Sequence, residues 1–88
     1  MTSAGALLVF RRGDRVRWRR SVLARGRELG HGAWCDAHDK LQGTVIGEAK
    51  EVVLPNGNRT AVRDPLVIVA WDDGGREALE RGKLERCP

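Results

Sequence analysis

Eleven glycines are scattered through 88 residues, and they cut the chain into pieces that suit turns and short strands better than long helices. A chain of this length holds one small hydrophobic core, so several independent domains are excluded. With 41% hydrophobic and 32% charged residues, the composition is that of an ordinary folded domain rather than a disordered or collagen-like one. No stretch reaches the roughly 20 apolar residues that a membrane helix needs. The apolar run from Ala4 to Phe10 has no preceding positive residue and no small-residue cleavage site, so it does not read as a signal peptide.

Between the glycines the pattern has the period of strands. Leu7 to Phe10 is a candidate lead-in strand, and residues 1–9 form a segment ahead of the domain proper, 10–88. From Asp14 to Arg19 the chain alternates, with Val16 and Trp18 on one face and Arg15, Arg17 and Arg19 on the other, which predicts a half-buried strand. Residues 20–40 read as a long loop with at most one helical turn, because Gly26, Gly30 and Gly32 interrupt it. Strands follow at Thr44–Ile46 and Val52–Leu54, then Asn56-Gly57 signals a hairpin whose return arm is Arg59 to Val62. Asp64-Pro65 predicts another turn. The most apolar run, Leu66 to Trp71, is the most buried strand, and Asp72-Asp73-Gly74-Gly75 closes a turn into Glu77–Leu79. A single turn at Arg81-Gly82-Lys83 and a last strand, Leu84 to Cys87, complete an all-β chain of five to six short strands. The expected core is Val16, Trp18, Val45, Ile46, Val67, Val69 and Leu79.

This arrangement resembles the SH3-like small barrels of the Tudor and KOW type. The residues that carry the resemblance are Gly13-Asp14-Arg15-Val16-Arg17-Trp18, Gly43-Thr44-Val45-Ile46-Gly47, Val67 to Gly74, and the tail Glu77 to Cys87. Relative to the simple form, the first loop is long and the hairpin at 51–62 is inserted. The resemblance implies a non-enzymatic binding module, since such barrels bind RNA, DNA, peptides or methylated side chains.

Charge points the same way. The formal net charge is +4, but residues 1–30 carry a net +6 and the remainder −2. Arg11, Arg12, Arg15, Arg17, Arg19 and Arg20 lie on or beside the first strand, with Trp34 in the glycine-rich loop as a stacking platform, and together they form a candidate nucleic-acid surface. The competing reading pairs these arginines with Asp72, Asp73, Glu77 and Glu80. Trp18 and Trp71 are candidates for an aromatic pocket around a methylated cation, against a role in core packing. The alternative function is a protein adaptor that takes a peptide, a partner subunit or another acidic protein partner through the long loop, around Leu29 and Trp34, or through a barrel edge.

Catalytic and metal motifs are thin. There is no phosphate-binding glycine loop or convincing carboxylate pair, and a Cys35 nucleophile with His31 or His38 as base lacks an orienting group. His31, Cys35 and His38, with Asp36, Asp39 and Cys87, form an incomplete ligand set, so no metal or other cofactor is expected. Residues 25–40 are instead expected to be the most mobile part of the chain. Two cysteines cannot make a disulfide framework, which suggests free thiols in a reducing cytoplasm.

Overall fold

The Val16–Trp18 alternation forms one strand, next to the edge, of a five-stranded antiparallel sheet. The computed structural model describes residues 9–88, and in it β1 (Arg15–Trp18) is followed by two helices, α1 (Arg20–Glu28) and α2 (Gly32–His38). Strands β2 (Gln42–Val53), β3 (Arg59–Trp71) and β4 (Arg76–Leu79) make a meander. After a 3₁₀ turn at Arg81–Lys83, β5 (Leu84–Arg86) returns to pair with β1. The sheet order is β4-β3-β2-β1-β5, every neighbouring pair is antiparallel, and the sheet is not closed into a barrel. Among the described residues no helix is long and apolar enough to cross a membrane. Leu7 and Leu8 of the expected lead-in strand lie outside the described residues, while Phe10 is buried without joining a strand.

Three tight turns share one construction. At Arg11–Asp14, Leu54–Asn58 and Trp71–Gly75, the fourth residue or the one before it is a glycine at positive φ: Gly13 at 97°, Gly57 at 86° and Gly74 at 98°. In the two hairpins the backbone N–H of Gly57 donates to the Leu54 carbonyl and that of Gly74 to the Trp71 carbonyl, each at 2.9 Å. The side chains of Asn56 and Asp73 then accept from the N–H two residues on, both at 3.0 Å. Asn56 itself stays at negative φ, so this is a type I turn closed by a left-handed glycine rather than the two-residue primed turn that Asn-Gly suggests.

The core lies on the Val16 and Trp18 face. Val16, Trp18, Val45, Val67, Val69 and Leu79 are buried as the alternation requires, joined by Phe10, Leu23, Cys35, Trp71 and Leu84. Ile46 is only half-buried: it follows Val45 directly, so alternation turns it to the other face, and the β2–β3 register shift between Val45 and Gly47 does not return it to the core. The expected turn at Asp64-Pro65 is absent as a reversal. Pairing runs from Glu51↔Ala61 to Ala49↔Leu66, so the extra residues bulge out of β3 and the strand continues past a proline that has no N–H to give the ladder.

The segment 20–40 corrects the loop expectation. It is a helical hairpin seated on the core by Leu23 and Cys35, each fully buried. Gly26 is the reason. A Cβ there would lie 2.7 Å from the Cys35 sulfur, so its bare backbone is where the two helices meet. Gly30 ends α1 at φ 89°; its N–H donates to the Arg27 carbonyl (3.1 Å), and that of His31 donates to the Gly26 carbonyl (2.9 Å), the pairing of a Schellman cap. Two of the three glycines that look like breakers therefore serve the helices, and the third, Gly32, is the first residue of α2.

The start of α1 is capped from a distance. Arg19 offers no side-chain cap, and the Arg20 N–H donates instead to Glu85 Oε1 of β5 at 2.8 Å. Arg17 Nε donates to Glu85 Oε2 at 3.0 Å, so one carboxylate ties β1, β5 and α1 together. The Arg20 N–H first, then the Arg17 guanidinium, hold this carboxyl below the usual glutamate range against the opposing effect of burial. A depressed folded pKa stabilises the fold above the unfolded value of about 4.3, and that contribution disappears as pH falls through the folded value. Glu85→Gln is expected to cost about 1 kcal/mol at neutral pH and to flatten the acid limb below about pH 5. Asp14 and Asp72 are also lowered and preserve part of the slope. Urea unfolding across a pH series checks this; a variant curve parallel to wild type throughout would contradict it.

Candidate binding cleft and arginine face

The helical hairpin meets the sheet through stacked rings. Trp18 of β1 and Trp71 of β3 lie nearly parallel with centroids 6.3 Å apart, and both are buried, at 6% and 4% exposure. Trp34 of α2 meets Trp18 edge-on at 4.9 Å and stacks on His38 at 4.1 Å, while His38 Nδ1 lies 2.7 Å from the Trp34 carbonyl oxygen. Trp71 Nε1 donates to Glu77 Oε1 at 3.0 Å. Trp18 and Trp71 thus sit in the core, where the aromatic-pocket reading would need their faces open to solvent.

Beside this stack, α1 and the start of α2 frame an open cleft of about 570 Å³ lined by Ser21, Val22, Arg25, Gly26, Leu29, His31 and Trp34. Two of its walls are large apolar side chains in the open, Leu29 at 58% and Trp34 at 42% exposure. Sequence reasoning placed Leu29 and Trp34 at the tip of a loop but missed Val22, Arg25 and the cleft between them. The signal was present as the spacing of Val22, Gly26 and Leu29, four and three residues apart on one helical face.

The arginines divide into two groups. Arg15 grips Asp72 with both terminal nitrogens, at 2.8 and 2.5 Å, and also reaches Thr44 Oγ1; Arg17 pairs with Glu85 at 2.9 Å and Arg20 with Asp39 at 2.5 Å. The Arg15 contact holds the Asp72 carboxyl below its usual range and raises the guanidinium further above its own. Of the anticipated acidic partners only Asp72 is used by these arginines. Asp73 and Glu77 instead serve a turn N–H and the Trp71 indole. In the second group, Arg12 donates to the Ile46 carbonyl and Arg19 to the Leu84 carbonyl, and Arg11, Arg12 and Arg19 pair with no carboxylate through their side chains among the described residues. Comparison with protein-family models, with curated proteins and with solved structures found no match.

His31, Cys35 and His38 are not drawn into a ligand set. The Cys35 thiol is buried and donates to the Leu23 carbonyl at 3.3 Å, the His38 ring is committed to Trp34, and His31 is on the cleft wall. Among the described residues no three His, Cys, Asp or Glu side chains converge, and Cys35 and Cys87 are both unpaired.

Proposed function

We propose that the protein is a non-enzymatic binding module that engages a protein partner through the α1–α2 cleft. The observation that carries this reading is the pair of exposed apolar walls, Leu29 at the C-cap of α1 and Trp34 within α2, presented by a helical hairpin rather than by a loop. A volume near 570 Å³ lies within the range of roughly 300–1,000 Å³ typical of ligand sites, and an apolar lining suits an inserted hydrophobic side chain. The meander β1 to β4, the 3₁₀ turn and the return of β5 to β1 support reading the scaffold as an SH3-like sheet, open, with the helical hairpin inserted after its first strand. Such scaffolds carry binding functions in the insertions they hold rigid.

A second reading, nucleic-acid binding, rests on Arg11, Arg12 and Arg19. Their lack of carboxylate partners leaves positive charge available to phosphates, with contacts that weaken as salt rises. Affinity capture followed by analysis of both protein and nucleic acid separates the two. A protein that is retained by wild type and by the Arg11→Ala, Arg12→Ala double variant, but lost with Leu29→Ser or Trp34→Ala, is the expected result. Salt-sensitive recovery of nucleic acid, abolished by the double arginine variant and indifferent to Leu29→Ser, would replace the first reading with the second.

A further inference from the structure

We infer that the occupant of the α1–α2 cleft is an acidic amphipathic segment of a partner protein, seating an apolar side chain against Leu29 and Trp34 and a carboxylate on Arg25. This rests on the reading of the cleft as the binding surface, and it adds the partner's chemistry.

The inference follows from how charge is distributed around the cleft. Arg25 is the one formally charged side chain on its lining, and no carboxylate belongs to that lining. The neighbouring cations are already committed: Arg20 to Asp39 at 2.5 Å, and Arg27 to Asp36 at 3.2 Å. Arg25 has only Glu28, one turn along the same helix at 3.1 Å, and both side chains are about two-thirds exposed, at 69% and 67%. Exposed pairs of this kind are weak and readily exchanged, so a carboxylate carried in beside an apolar anchor competes well for the guanidinium. The forked donors of Arg25 match the two oxygens of a carboxylate at once, a fit that phosphate shares, and the apolar walls Leu29 and Trp34 beside it are what favour a carboxylate carried on a protein segment. A basic segment would meet Arg25 with repulsion, and the one acid beside it, Glu28, is off the lining and already paired with Arg25. Nine residues make α1 only about 13 Å long, which limits the contact to one or two anchors rather than an extended seam.

The test uses two blocked, fluorescein-labelled peptides of equal length with Leu and Trp at the same positions, one filled with Glu and the other with Lys. Fluorescence anisotropy at physiological ionic strength should show the acidic peptide binding about tenfold or more tightly than the basic one, the scale of one charge pair made against one repelled. Arg25→Glu should reverse the order, and Leu29→Ser should weaken both. Equal affinity for the two peptides, or a preference untouched by Arg25→Glu, overturns the acidic occupant; if binding is still lost in Trp34→Ala, the cleft reading survives that failure. Binding that persists in both Leu29→Ser and Trp34→Ala overturns the cleft itself, as does no binding of either peptide. Sedimentation of the protein alone supplies the remaining arm: a dimer dissolved by Leu29→Ser would mean that a second copy fills the cleft, and would overturn the proposal. Arg25 and Leu29 are largely exposed, so these variants are expected to stay folded, which thermal unfolding verifies.

Discussion

Gly43→Ala is expected to destabilise the protein by about 3 kcal/mol, the upper end of the usual cost of overpacking. Gly43 is opposite Trp71 where β2 pairs with β3, and a methyl group there would lie 2.6 Å from Val69 Cγ1, 2.8 Å from the Ala70 carbonyl oxygen and 2.8 Å from Trp71 Cε3. The valine methyl could rotate aside. The carbonyl belongs to the strand itself and the indole is wedged against Trp18, so relief requires β2 and β3 to separate at the centre of the core. In a domain of this size about 1 kcal/mol shifts the melting temperature by roughly 4–8 °C, so a fall on the order of 12–24 °C should appear in a thermal scan. Gly82→Ala is the matched control. It is in the 3₁₀ turn with nothing near the added Cβ, and its melting point is expected to stay within a few degrees of wild type. A Gly43→Ala protein that melts with the control would show that the strands can move apart at little cost.

That contrast between two glycines also explains which parts of the fold were legible beforehand. Strand alternation at Val16 and Trp18, and turn chemistry at Gly57 and Gly74, depend on residues close in sequence, and the structure follows them. Gly26 and Gly43 depend on what approaches from elsewhere. Local propensity treats Gly26 as a helix breaker, costing about 1 kcal/mol relative to alanine, yet the arrival of Cys35 at that spot makes the missing side chain the condition for helix pairing. The same limit applies to the arginines. Alternation put Arg15 and Arg17 on the outer face, but only the folded chain brings Asp72 and Glu85 to them, 57 and 68 residues away. With Arg20 held by Asp39 as well, three of the six arginines expected at a phosphate surface have carboxylate partners, and Trp34, expected as a stacking platform, lines an apolar cleft. Pro65 marks the opposite error, since a local turn signal was absorbed as a bulge in a strand held by its neighbours.

Trp18→Ala is expected to cost about 3–5 kcal/mol, a large share of the roughly 4–13 kcal/mol that a domain of this length commands. Trp18 is the one ring that touches both layers, parallel to Trp71 on the sheet and edge-on to Trp34 and His38 on α2. Truncation removes that contact from both sides, so the helices should lose their anchorage before the meander does, read as an early loss of the helical circular dichroism signal. Trp18→Phe should retain most of the stability. Phenylalanine keeps a ring in the stack and removes a buried Nε1–H that has no hydrogen-bond partner among the described residues, and leaving such a donor unpaired carries a cost of about 1–3 kcal/mol. The pair of variants therefore separates shape from polarity at one site. It also separates the cleft from the core: Trp18→Ala should abolish peptide binding by unseating α2, whereas Trp34→Ala should abolish it with the sheet still folded. If Trp18→Ala unfolds in a single step at an unchanged midpoint, the stack contributes little, and the helices are held by Leu23 and Cys35 alone.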